Sequence, residues 1–206
     1  YAAELAARGF VTASIRYRQG VEGRWPSALE DAKRAVRWMR TNAGEIGLDP
    51  GRLAVAGASA GGQLAAMVGS TSGRFEGSSR DGEDSTQVAA AILWYPQTDL
   101  RLGSRRGDAR RAIRDFLGDP RRAREASPVT YAAEAPPTLT FTGDRDPAVP
   151  LAMVNEYHAL LDRHGVPNRL IVFPGVGHSF DYNPARWRDC FEEMLVFLHE
   201  HVACRR

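Results

Sequence analysis

The chain has 206 residues, 43% hydrophobic and 25% charged, with 27 basic against 25 acidic side chains. Those proportions suit one domain with a sizeable core and exclude extended disorder, and a net charge of +2 is too small to imply a nucleic-acid partner. No apolar run approaches the roughly 20 residues that a membrane span needs.

In chain order, residues 1–8 read as the end of a helix stopped by Gly9, and residues 10–17 as a strand of alternating apolar positions. Residues 27–43 follow a turn-rich stretch and carry Ala28, Leu29, Ala32, Ala35, Val36 and Met39 on one helical stripe, with charges opposite and Pro26 at the helix start. Residues 53–58 form a short apolar strand that runs directly into a small-residue helix over 63–70. Residues 88–95, VAAAILWY, are wholly apolar, which predicts a strand buried on both faces of a parallel sheet.

Residues 96–130 break this rhythm with nine arginines: Arg101, Arg105, Arg106, Arg110, Arg111, Arg114, Arg121, Arg122 and Arg124. They read as a cap-like insertion whose charges face water, offset by Asp108, Asp115, Asp119 and Glu125, rather than as a clamp for an anionic substrate. The alternation resumes with a strand at 138–142, a helix at 149–164 ended by Gly165, a strand at 170–173 and a helix at 184–202. Strands alternating with helices predict a single α/β domain with a mainly parallel sheet and helices on both faces. Cys190 and Cys204 would lie about 21 Å apart along the last helix, too far to form a disulfide.

The chemistry concentrates at the carboxyl ends of the predicted strands. In GASAGG, residues 57–62, Ser59 sits at the apex of a strand-to-helix turn, with Gly57 and Gly61 two residues to either side, where a Cβ would crowd the turn, and Gly62 following. A serine hydroxyl is a poor nucleophile at neutral pH and requires a histidine base oriented by a carboxylate. His178, in the glycine-rich PGVGHSF that follows a strand, is the best base; His158, His164, His199 and His201 fall in or at the ends of helices, where a surface or helix-terminal role is expected. The strand at 138–142 runs into Gly143-Asp144-Arg145-Asp146-Pro147, and Asp146, which begins an Asp-x-x-Val pattern, is preferred over Asp144 as the acid. Asp144 is then expected to shape its own loop.

The order Ser59, Asp146, His178 is that of a hydrolase triad, with the Ala60 amide as one oxyanion donor. A phosphate-binding loop fits poorly, because the glycines run GxxxGG and the one lysine, Lys33, is remote from them. Histidine and cysteine spacings match no metal-binding pattern.

Six segments, LAARGFVTASIRYR, WPSALEDAKRAVRWMRTNAGEIGLDPGRLAVAGASAGGQLAA, ILWYPQTDL, ASPVTY, TGDRDPAVP and GVGHSF, together resemble the α/β-hydrolases. The likeness is to the bacterial esterase group that includes feruloyl-esterase-like and hormone-sensitive-lipase-like enzymes. The resemblance implies a cofactor-free hydrolase of small carboxylic esters, of short acyl or aryl type, including acetyl or feruloyl groups on plant polysaccharide. An amidase or peptidase with the same triad, and a noncatalytic module of the fold, are the alternatives. It also implies an HGGG-type segment, contributing the second oxyanion donor, next to a sheet strand between the one at 10–17 and the elbow strand. Residues 1–206 contain neither. The expectation is therefore a domain incomplete at its amino terminus, with two strand edges left open and localisation undetermined between cytoplasm and secretion.

Overall fold

The computed structural model describes residues 1–77, 85–104 and 106–202. Its centre is a four-stranded, all-parallel sheet in the order β1 (Ala54–Ala58), β2 (Ala90–Trp94), β3 (Thr138–Gly143), β4 (Asn168–Phe173). All five β2 residues are buried, as their continuous apolarity requires. Side-chain alternation sorts them between two layers. Ile92 and Trp94 pack with Phe141 against α7 (Pro184–His201), through Phe191, Met194 and Leu198. Ala91 and Leu93 face Ala65 and Ala66 of α4 (Ala60–Ser70) and Tyr157 and Leu161 of α6 (Leu151–Arg163). Helices therefore cover both faces of the sheet, which is the expected α/β arrangement.

The amino-terminal part differs from expectation. After α1 (Ala2–Ala6), residues 10–17 form no strand, although a strand is what their apolar pattern predicts. The physical reason is pairing: among the described residues no strand lies against them, and a lone segment has no ladder to join. Strand β1 consequently forms one edge of the sheet, with Ala54, Ala56 and Ala58 exposed. Between β1 and residues 10–17 lies a groove of about 800 Å³, floored in part by Ala35, Val36 and Met39 of α2 (Ser27–Thr41). These three belong to the apolar stripe read from the sequence, yet they are only half-buried.

The other departure in α2 concerns its charges. Lys33 and Arg37 are buried rather than turned to water. The Lys33 ammonium donates to Glu76 at 2.9 Å and to the Arg74 carbonyl at 2.6 Å, and the Arg37 guanidinium donates to Glu76 at 2.5 Å. Burial pushes the Lys33 ammonium below the usual lysine range, against the opposing pull of Glu76. Burial acts upward on the Glu76 carboxyl, but hydrogen bonds from Thr86 and Lys33 outweigh it and hold the group below its ordinary range. The two partners therefore differ because Lys33 is fully enclosed while Glu76 lies at the rim.

Removing Glu76 alone strands two cations, and Glu76→Gln is expected to cost about 3 kcal/mol in urea denaturation. The sign with pH follows from the depressed carboxyl: its contribution is complete above the unfolded value of 4.5 and is lost as pH falls through the lower folded value. Glu76→Gln should therefore flatten the acid limb of stability, and a pH series of denaturation midpoints reads this directly.

Within residues 96–130 the arginines behave as a solvated surface. On and around α5 (Gly107–Leu117), Arg106 pairs with Asp108, Arg121 with Asp119 and Arg122 with Glu125. Arg101 pairs with Asp99, which is itself buried. Leu117, Ala123 and Ala126 join the core beside Trp25 and Leu29. Cys190 is buried as a free thiol, while Cys204 and Arg105 lie outside the described residues. His158, expected at a surface, is instead buried, its Nδ1 2.7 Å from Asn168 Oδ1. Burial lowers its pKa. Among the described residues no helix is long and apolar enough to cross a membrane.

Candidate active site

Strand β1 ends at Ala58 and α4 begins at Ala60, so Ser59 alone makes the turn between them. It does so at φ 55° and ψ −117°, a backbone conformation that a side-chain-bearing residue adopts only when its surroundings impose it. Two bonds impose it here. The Ser59 amide donates to the Trp94 carbonyl at 2.9 Å, and the Ser59 carbonyl accepts from the Gln63 amide at 3.0 Å.

The glycines divide differently from the sequence reading. A Cβ on Gly57 would collide with the Gly61 carbonyl, and one on Gly62 would lie 3.1 Å from both the Pro96 ring and the Trp94 carbonyl. Gly61 itself has room, its nearest neighbour being the Tyr17 hydroxyl at 4.0 Å. Gly57→Ala is therefore expected to destabilise by about 3 kcal/mol and Gly62→Ala by about 1 kcal/mol. Gly61→Ala should fall within about 1 kcal/mol of the parent, since alanine is the better helix former. Denaturant midpoints of the three variants test that ranking.

The carboxylate is fixed by its own loop. Asp146 Oδ1 accepts the amides of Ala148 at 2.7 Å and Val149 at 2.9 Å. This leaves Oδ2 pointing at His178 Nδ1, 2.6 Å away. The Asp-x-x-Val pattern thus has a physical content, because its last residue supplies an amide that orients the acid. Asp144 does not reach the imidazole; its Oδ1 accepts the Gly175 amide at 2.7 Å and ties the acid loop to the histidine loop. Gly143 allows the same approach, since a Cβ there would collide with the Val176 carbonyl.

His178 hangs from the loop after β4, and its Nε2 lies 2.9 Å from Ser59 Oγ. The hydrogen-bond inventory of a neutral imidazole gives the direction: Nδ1–H donates to Asp146 and Nε2 accepts from the serine hydroxyl. One chain of hydrogen bonds thus joins residues from the ends of β1, β3 and β4. The remaining sequence candidate, Ala60, begins α4, so its amide has no acceptor within the helix.

Sequence reasoning missed the supports behind the acid. Gln97 Nε2 and Ser104 Oγ both donate to the Ala148 carbonyl, at 3.1 and 2.9 Å. They come from the start of the stretch read as an insertion, and no spacing signal connects them to a loop more than 40 residues away. The groove beside β1 reaches this site, with Ala58 and Gly61 in its wall.

A doubly covered parallel sheet whose first strand ends in this strained serine turn defines an α/β-hydrolase fold. The chain belongs to the family described as BD-FAE, whose model matches residues 1–161. It is 34% identical to the esterase LipC of Mycobacterium tuberculosis over 95% of this chain and 52% of LipC. To the esterase LipQ of the same organism it is 29% identical, over 84% of this chain and 43% of LipQ. Among solved structures it is similar to the thermophilic esterase Est2 of Thermogutta terrifontis, with a TM-score of 0.72 and 29% identity, over 86% of this chain and 65% of Est2. A structure of that esterase phosphonylated by sarin superposes with a TM-score of 0.77 at 29% identity, over 90% of this chain and 70% of that one. The chain spans about half the length of the curated relatives it matches.

Proposed function

We propose that this chain carries the catalytic triad of a serine carboxylesterase. The reading rests on the continuous hydrogen-bond chain from Ser59 Oγ through His178 to Asp146. His178 takes the Ser59 proton as the hydroxyl attacks the ester carbonyl, then delivers it to the departing alcohol, leaving an acyl-serine. Water, deprotonated by the same imidazole, releases the acid. Asp146 holds the imidazole with its proton on Nδ1 and stabilises the imidazolium between the two transfers. The tetrahedral oxyanion accepts the Ala60 amide at the start of α4. No cofactor or metal ion enters this scheme, and the substrate is a small ester of short acyl or aryl type, with acetyl and feruloyl esters of plant polysaccharide in that class.

An oxyanion hole needs a second donor beside the Ala60 amide. We propose that a β-strand from sequence preceding Tyr1 fills the groove between β1 and residues 10–17, with its carboxyl end beside the Ala60 amide. Half-buried apolar residues of α2 and the open edge of β1 support this reading.

Hydrolysis of p-nitrophenyl acetate and butyrate, compared with the matching anilides and with Ser59→Ala as blank, tests the assignment. Serine-dependent turnover of the esters well above the anilides is expected. Preference for anilides would instead favour an amidase.

A further inference from the structure

The carboxyl end of β2 touches both the nucleophile and the base, although the proposed reaction assigns it no part. The Trp94 carbonyl holds the Ser59 amide. The next residue, Tyr95, is buried and has φ 37°, a left-handed conformation that is unusual for a bulky side chain. From there its ring lies against the His178 imidazole, with centroids 4.5 Å apart, and edge-on to Phe180 at 5.6 Å. Its hydroxyl donates to Asp181 Oδ1 at 2.6 Å inside the protein.

Asp181 stands three residues beyond His178, in the 3₁₀ turn Phe180–Tyr182, and Ser179 between them is left-handed at φ 59°. On its other side His178 is preceded by Gly175 and Gly177. Such a loop has high conformational freedom unless it is tied at both ends. Asp144 and the Arg145 amide, which donates to the Val176 carbonyl at 3.0 Å, tie the leading end. The charge-assisted bond from Tyr95 to Asp181 ties the trailing end.

We propose that Tyr95 is a positioning residue for the base: its ring backs the imidazole, and its hydroxyl pins the trailing end of the loop through Asp181. Trp94, the last residue of β2, and Tyr95 just after it then set the distance between Ser59 and His178. The proposal rests on the triad reading given above. Placement at this level matters chemically, since a displacement of about 1 Å at a reacting group costs on the order of 100-fold in rate.

The test follows two readouts in the 206-residue chain: the rate at which a fluorophosphonate modifies Ser59, and the proton resonance on His178 Nδ1 in side-chain NMR. Tyr95→Phe is expected to slow modification about 10-fold and to broaden or abolish the resonance. Asp181→Asn keeps an oxygen acceptor for the phenol and should stay within about threefold of the parent. The double variant Tyr95→Phe, Asp181→Leu removes the unpaired buried carboxylate, so it should regain stability while modification stays slow. Tyr157→Phe, altering a buried tyrosine on the other face of the sheet, controls for stability loss alone and should leave both readouts at parental values.

Parental modification rates with an unchanged His178 resonance in Tyr95→Phe and in the double variant would overturn the proposal. Should the parent itself resist modification at Ser59, the triad reading fails separately. The resonance then decides the role of Tyr95: its loss in the variants supports positioning and its persistence refutes it.

Discussion

Ser59→Ala is expected to lower ester turnover by about 10⁴- to 10⁶-fold, with His178→Ala matching it and the double variant no worse than either single. Non-additivity follows from the proposed mechanism, in which the groups joined by the 2.9 Å contact between Oγ and Nε2 act as one proton-transfer unit. Asp146→Asn separates orientation from charge more finely. Its Oδ1 can still accept the Ala148 and Val149 amides, so the loop should hold and stability should change little. The amide nitrogen would then face His178 Nδ1 and donate to it, which places the imidazole proton on Nε2. That tautomer cannot accept a proton from serine, and a fall of about 10⁴-fold in kcat is expected with the denaturation midpoint nearly unchanged. Steady-state kinetics on p-nitrophenyl butyrate beside urea titrations separates the two effects.

Filling the groove is expected to raise turnover by about 100- to 1000-fold, the usual worth of one oxyanion donor. The comparison is with a form carrying the proposed strand as an amino-terminal extension. A second effect is independent of catalysis. The Leu53 carbonyl and the Ser59 amide bond to the β2 side, so alternation turns the backbone groups of Ala54, Ala56 and Ala58 to the open edge. Their amides should exchange quickly with solvent in the 206-residue chain and become protected when the strand is in place. Equal exchange in both forms would show that the groove takes no strand.

The parts legible in the sequence were those whose cause is local. Continuous apolarity in β2 reports enclosure on both faces, and the short turn around Ser59 reports a strand running straight into a helix. The Asp-x-x-Val pattern by which Asp146 was preferred over Asp144 is local too, since the amides its carboxylate accepts lie two and three positions away. Residues 10–17 show the limit of periodicity: alternation specifies which face a side chain takes, whereas a strand also requires a neighbour to bond.

Spacing likewise could not tell which elbow glycine meets a neighbour, since the crowding of Gly62 comes from Pro96 and Trp94. Long-range partners leave no spacing signal. Lys33 and Arg37 look like a solvated face until Glu76 folds over them, and Tyr95 finds Asp181 across 86 residues. The Ser59, His178 and Asp146 contacts also join residues far apart in sequence, but there the residue types and their order carry chemical meaning that a buried ion pair lacks.

Activation of the Ser59 hydroxyl by His178, as proposed, is read directly from a fluorophosphonate adduct located by peptide mass spectrometry. A single modified peptide containing Ser59 is expected, with modification nearly lost in His178→Ala. An adduct elsewhere, or modification of Ser59 at the parental rate without His178, would contradict it.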